Sequence, residues 1–425
     1  MATSLGRMTT ATGQAPDVRQ AVIACGTAAK HAAGGLAAAP GPVIDDALRR
    51  MAGLISEQAP AILTANATDM DRGAEQGLGR GLLDRLRLDA GRLAATARQL
   101  ELLAEVAFPP NGCASGQLPD GLTLTERRVP IGVVGANFEA RPAVTVDVAS
   151  QLLKSRNAGV LRTGSAAIGS AKALHQHVIA PALAAAELDP DAIQIVGEPG
   201  REYATALVRQ PDLIRLVILR GSGETTKTLG QEAARHGVRT LAHAEGGGVL
   251  YVDVAADEST LRRLLAEGTD RLGVCNRVNL VLIAEAVADE FEPVIRSELD
   301  AKGIALKTPP FDHPIGHEWA LDDGNEATVT MLRVKDESEA AHVANTETSG
   351  LAATIVSEDA DTARRFLDRY HGTGAFWNAT TRLLDGFKLL AVPETGINVD
   401  HMPGPRGPVT FADLYLRQYV VVPAD

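Results

Sequence analysis

Cysteine is nearly absent from this 425-residue sequence: Cys25, Cys113 and Cys275 are the whole complement, with no CxxC pair. So sparse and odd a set excludes a disulfide framework and a zinc site. It fits a reducing compartment, where a thiol stays a thiol. Nor does any segment reach the ~18 uninterrupted apolar residues that span a bilayer. The polar N-terminus lacks the basic-then-apolar order of a signal peptide. Residues 1–17 therefore read as a disordered leader and the chain as cytoplasmic. Positive charge is also in short supply, with 41 Lys and Arg against 53 Asp and Glu. The net charge of -12 repels phosphate backbones and argues against nucleic acid as a partner, while leaving room for a local basic pocket. What is present in quantity is chain: 425 residues exceed one ordinary core and predict two domains with appendages.

From Val18 to Ala107 apolar residues recur at spacings of three and four, as in "IDDALRRMAGLISEQ", which predicts helices. Pro109-Pro110-Asn111-Gly112 breaks the pattern into a loop. "GQLPDGLTLTERRVP" then reads as a hairpin turning at Asp120-Gly121. Between Pro130 and Gly223 short apolar strands ("IGVVGA", "AGVLRTG", "AIQIVG", "LIRLVILRG") alternate with helices, over 144–154 and 170–187 among others. That alternation predicts a parallel, doubly wound sheet. A second alternating stretch opens at "VRTLAHAEGGGVLYVDV" and runs to "GAFWNATT"; "ADLYLRQYVVVPAD" reads as a terminal strand. The expected limits are 18–112 with 130–242 for a nucleotide-binding domain, 243–384 for a catalytic domain, and 113–129 with 385–425 for a flap.

Cys275 stands between a helical pattern and the buried strand "NLVLI". Backbone N–H groups at such a boundary can favour thiolate over thiol and hold the oxyanion of a tetrahedral adduct. The alternative is a buried structural cysteine, the commoner fate of a lone thiol.

Several collinear runs weigh on that choice. "VPIGVVGANFEARPAVTVDVASQLLKSRNAGVLRTGS" resembles the central signature of the glutamyl-phosphate reductases, a family of the aldehyde dehydrogenase superfamily. "LTANATDM", "GLGRGLLDRLRLDAGRL", "HAEGGGVLYVD", "NATTRLLDG" and "GPRGPVTFADLYLRQYVVV" resemble further parts of it, and Cys275-Asn276 falls where that family keeps its catalytic Cys-Asn. The resemblance implies an aldehyde-dehydrogenase-like α/β fold: two doubly wound α/β domains and a β-hairpin oligomerisation flap, assembled as a homodimer or homotetramer. It implies a thioester on Cys275 formed from an acyl phosphate, first of all L-glutamyl 5-phosphate, and reduced by NADPH to the semialdehyde of proline biosynthesis. It implies no metal. Cofactor candidates lie at strand ends: Arg162, Gly164 and Ser165 in "LRTGS", and Gly221 and Ser222 after Arg220 in "LRGSG". Substrate candidates are Arg141, Asn378, Arg382 and Arg406, whose donors suit phosphate and carboxylate oxygens. Taken singly, each glycine also reads as a plain turn and each arginine as a structural salt bridge. No GxGxxG follows a strand, as the resemblance requires of a superfamily that binds its nucleotide in its own way.

The sequence departs from the family where a Glu-Thr pair usually follows the Cys-Asn; here Asn279 and Leu280 stand instead. Leu351-Ala352-Ala353 replaces a His-Ser-Asp run, and "GFKLLAVPETGIN" a glycine-rich segment. These changes predict an altered glutamyl pocket and a different acyl phosphate, thioester or aldehyde as an alternative substrate. Two other readings are an aldehyde dehydrogenase with Glu245 as general base, and a non-catalytic binding relative.

Overall fold

The computed structural model describes residues 17–109, 112–243, 246–322, 324–400 and 404–423. The expected leader up to residue 16 lies outside them. Five helices come first: α1 (Val18–Ala38), α2 (Gly41–Glu57), α3 (Ala59–Glu75), α4 (Arg80–Leu86) and α5 (Ala90–Glu105). In α2 the buried residues Ile44, Ala47, Leu48, Met51 and Ile55 form one stripe at helical spacing. Asp17 and Asp89 begin α1 and α5 by accepting the Arg19 and Arg92 backbone N–H groups.

β1 (Gly112–Leu118) and β2 (Leu122–Pro130) pair antiparallel. Gly121 between them has φ +70°, a conformation that glycine takes without steric cost. The first parallel unit follows: β3 (Val133–Phe138), α6 (Val144–Lys154), β4 (Ala158–Thr163), α7 (Ile168–Leu174), α8 (Ala180–Ala185), β5 (Ile193–Ile195), α9 (Arg201–Leu207), β6 (Leu216–Arg220), α10 (Gly223–Arg235) and β7 (Arg239–His243). The strand order is β5-β4-β3-β6-β7, all parallel. The helix expected over 170–187 is divided by a π-turn at His175–Ile179; Pro181, just beyond it, has no N–H to continue a regular ladder. β7, expected to open the second stretch, instead closes the first sheet, because Arg239–His243 pairs in register with Leu216–Arg220.

The second unit holds β8 (Gly248–Val252), α11 (Glu258–Gly268), β9 (Val278–Ala284), α12 (Ala288–Asp300), β10 (Ala305–Lys307), β11 (Thr328–Val334), α13 (Glu337–Thr346), β12 (Ala352–Val356), α14 (Ala360–Arg369) and β13 (Gly374–Trp377). Its order is β10-β11-β9-β8-β12-β13, again all parallel. Strands buried on both faces read as unbroken apolar runs. Thus β9 sends Val278, Val281 and Ile283 into one core, against α11 and α12, and Leu280, Leu282 and Ala284 into the other, against α13 and α14.

After α15 (Gly386–Leu390) come the short antiparallel pair β14 (Gly396–Asn398) and β15 (Gly407–Val409), then β16 (Tyr415–Pro423) on the outer edge of β2. Residues from 385 onward do not all lie in that flap. Val392, Val409, Phe411 and Leu414 enter the first unit's core, and Asn398 accepts the Ala242 N–H at 3.3 Å. Among the described residues no helix is long and apolar enough to cross a membrane.

Candidate active site

A parallel strand order that reverses leaves a crevice at the carboxyl ends, where neighbouring connections run to opposite faces. In the first sheet this point lies between β3 and β6. Phe138 and Glu139 at the end of β3 and Arg220, Gly221 and Ser222 at the end of β6 all face one cavity of about 200 Å³. Cys275 lines the opposite wall. It sits in the turn between α11 and β9, at the amino ends of the second sheet's strands. The thiol therefore stands across from the crevice of the first sheet.

The turn holding Cys275 is clamped from below. The Gly247 N–H donates to the Cys275 carbonyl and the Gly248 N–H to that of Arg277, each at 2.6 Å. Gly246 passes so close that a Cβ on it would meet the Cys275 Cβ and carbonyl oxygen at 2.5 Å. Only glycine permits that approach. Leu351, Ala352, Leu384, Ile397 and Val399 form an apolar floor on which Cys275 packs. The sulfur is thus partly buried and bordered by the cavity.

Cations ring it. Arg85 from α4 donates to the carbonyls of Gly273 at 2.6 Å and Ala320 at 3.2 Å, tying three segments together at the cavity wall. Ala140, at the end of β3, holds φ +43°, a strained conformation for a residue with a Cβ. The next residue, Arg141, lines the same cavity. Its guanidinium has no hydrogen-bond or ion-pair partner among the described residues. Burial, then the neighbouring Arg85 and Arg220, pull its guanidinium down to about 10, and Cys275 opposes them. It stays charged at neutral pH. A second cavity of about 300 Å³ adjoins the first and shares Arg85, Arg141 and Arg220 with it.

Comparison with known proteins bears on this arrangement. The aldehyde dehydrogenase family matches residues 4–305. Gamma-glutamyl phosphate reductase of Moorella thermoacetica is 36% identical over 378 residues, covering 86% of this chain and 89% of that one. The Rhodospirillum rubrum protein of the same name is 34% identical over 415 residues, with 95% and 96% covered. The chain belongs to the gamma-glutamyl phosphate reductases, within the aldehyde dehydrogenase family. The crystal structure of the Thermotoga maritima gamma-glutamyl phosphate reductase superimposes with a TM-score of 0.83 at 27% identity, over 94% of this chain and 98% of that one. A propionaldehyde dehydrogenase from Clostridium phytofermentans shares the fold, with a TM-score of 0.73 at 16% identity.

Membership in the aldehyde dehydrogenase family brings a nicotinamide cofactor, and the crevice fits one. A Cβ on Gly164, beyond β4, would meet nothing nearer than 3.8 Å, so the backbone there is open to a ligand. Ser165 beside it is exposed. Gly221 and Ser222 lead into α10, whose first turn Ser222 caps.

Other residues singled out from the sequence occupy different places in this reductase-family fold. Asn276 turns inward: its amide donates to Leu384 O at 3.0 Å, and its carbonyl accepts from Arg382. Arg382 also binds Asp270 at 2.8 Å, so it braces the turn and faces neither cavity. Asn378, expected at the substrate, is held by Ser357 at the carboxyl end of β12; Cys275 lies at the sheet's opposite end. Arg406 donates to His371 O at the surface and lines neither cavity. Arg162, expected at the cofactor, is only 5% exposed. It gives its terminal nitrogens to Asn137 and Gly200, at 2.9 and 2.6 Å. Glu245 lies outside the described residues. Among those described, no His, Cys, Asp and Glu group is arranged to hold a metal.

The departures from the family pattern prove mostly structural. Leu280 is fully buried in the second unit's core and Leu351 in the floor beneath Cys275. The β8–β9 register slips at Asn279, which frees its side chain to bind His317 O at 2.6 Å and Trp319 N at 3.0 Å. Asn279 thereby holds the segment that brings Glu318 to the cavity wall. From "GFKLLAVPETGIN", Phe387, Pro393 and Glu394 line the second cavity. The sequence reading missed Arg85 and Asp147. Each resembles an ordinary polar position on an amphipathic helix, and only the meeting of α4, α6 and the 271–275 turn gives it a site.

Proposed function

We propose that this chain reduces L-glutamyl 5-phosphate to glutamate 5-semialdehyde through a thioester on Cys275, as a cytoplasmic enzyme using NADPH. The observation that carries the reading is the position of Cys275. It faces the switch-point crevice of one sheet while three arginines, Arg85, Arg141 and Arg220, share its cavity. A thiolate there attacks the acyl carbon; an S–C bond forms and the C–O bond to phosphorus breaks, releasing inorganic phosphate. Arg141, whose guanidinium has no partner among the described residues, is suited to the departing phosphoryl oxygens, and Arg85 adds a fixed positive field. A reduced nicotinamide, when bound, supplies the hydride. Cys275 then leaves as thiolate and the aldehyde is freed. NADPH over NADH is supported by residues 163–167, which place no carboxylate at the end of β4 to repel a 2′-phosphate. A homodimer or dimer of dimers is supported by β16, an open sheet edge with Leu416, Tyr419, Val421 and Val422 exposed.

The test runs the reaction backwards. Glutamate 5-semialdehyde and NADP are expected to give NADPH continuously only when phosphate or arsenate is present, with all turnover lost in Cys275→Ser. Sustained oxidation without either anion would contradict the reductase reading and favour an acid-forming dehydrogenase.

A further inference from the structure

The second cavity shares Arg85, Arg141 and Arg220 with the one that Cys275 lines and is not purely cationic. Asp147, Asp385 and Glu394 line it, from two separate segments. Asp385 accepts the Lys388 N–H at 3.1 Å and Glu394 the Gly386 N–H at 2.9 Å, so both carboxylates are held in place around α15. The carboxylate of Asp147, in the first turn of α6, has no hydrogen-bond or ion-pair partner among the described residues.

Charges on the surrounding elements do not relieve it. Arg85 is committed to two carbonyls, Arg220 to Thr395 O, and Arg92 and Arg271 to Asp84; Arg87 is exposed at the rim. The Arg141 guanidinium has no partner among the described residues, yet makes no ion pair with Asp147. One cavity thus carries a carboxylate and a guanidinium that, among the described residues, are unpaired and do not satisfy each other. Half-buried charges left in this state are costly unless a ligand supplies both complements. Burial, with Glu394 and Asp385 nearby, pushes the Asp147 carboxyl up to about 7, against Arg220 and Arg141. A cation arriving there would be held by the carboxylate and would reverse that shift.

We propose that Asp147, supported by Asp385 and Glu394, is a specificity-determining residue that selects substrates with a free ammonium group, while the anionic reacting end lies at Arg141. The inference rests on the reading that Cys275 is the reacting centre. It excludes acyl phosphates whose amine is acylated or missing.

Calorimetric titration of the full-length protein with L-glutamate, glutarate and N-acetyl-L-glutamate tests this without relying on turnover. L-Glutamate is expected to bind at least tenfold more tightly than either analogue. In Asp147→Asn that preference is expected to vanish, with glutarate affinity unchanged. Equal binding of L-glutamate and glutarate by the unaltered protein, binding of neither, or an undiminished preference in a folded Asp147→Asn would each overturn the inference. Comparing the three ligands on the unaltered chain decides the matter even if the variant fails to fold. Iodoacetamide labelling of Cys275, with and without NADP, is a separate readout. An unreactive Cys275 alongside ammonium-selective binding would defeat the catalytic reading while leaving the pocket assignment standing.

Discussion

At the scale of single residues, two groups carry opposite liabilities. Cys275 must be exposed enough to react and held firmly enough to be aimed, and the hydrogen bond its carbonyl accepts from the Gly247 N–H helps supply the second condition. Asp147 carries an unpaired charge whose effect is visible without substrate. Its folded pKa of about 7 lies above the ~4 of an unfolded aspartate. A raised carboxyl pKa means that the folded chain binds the proton more tightly. Its stabilising contribution is therefore complete below about pH 4 and is lost as pH rises through 7. The loss is at most about 4 kcal/mol, and smaller to the extent that water enters the cavity. Asp147→Asn removes it, so the Tm of this variant relative to the unaltered protein is expected to increase between pH 5 and pH 8. An offset that does not change with pH would contradict the burial of an unpaired carboxylate.

At the scale of elements, the β7–β8 connection and the α11–β9 turn meet at Gly246. A methyl group there would lie 2.6 Å from the Cys275 Cα, and backbone cannot rotate out of the way as a side chain can. Gly246→Ala is expected to cost about 2–3 kcal/mol or more in stability and to lower turnover beyond the loss of folded enzyme. Denaturant unfolding together with active-site titration separates these effects. A variant of unchanged stability and activity would show that the two segments are not in contact. The "GGG" in this connection was visible in the sequence, but its meaning was not, because the partner it makes room for lies nearly thirty positions along the chain. The same limit explains the other discrepancies. Helices and parallel strands were legible because 3.6-residue spacing and unbroken apolar runs are local. Whether "VRTLAH" would pair with β6 or begin a new sheet depended on an edge that local pattern does not reveal. Arg162 looked like a ligand-binding arginine because it ends a strand, where both buried and cofactor-facing side chains occur. Leu280 looked like a lost pocket residue because it stands where the family usually has one of a Glu-Thr pair, though the strand points it into the core.

At the scale of the whole molecule, two switch-point sheets are set so that the carboxyl ends of one face the amino ends of the other, and the flap β1-β2-β16 projects as a third sheet. The long ladder between β16 and β2, from Tyr415↔Pro130 to Pro423↔Leu122, fixes β16 in the flap, and its outer edge has no strand partner among the described residues. Truncation after Leu414 is expected to yield monomers by sedimentation velocity where the full chain sediments as a dimer or larger. An unchanged oligomer would assign the contact to another surface.

The central claim, acylation of Cys275, is tested most directly by mixing the protein with glutamate 5-semialdehyde and NADP in the absence of phosphate. The expected result is a single burst of about one NADPH per chain, a glutamyl adduct on the Cys275 peptide by mass spectrometry, and resumed turnover when phosphate is added. Steady oxidation without a burst, or an adduct on any other residue, would contradict it.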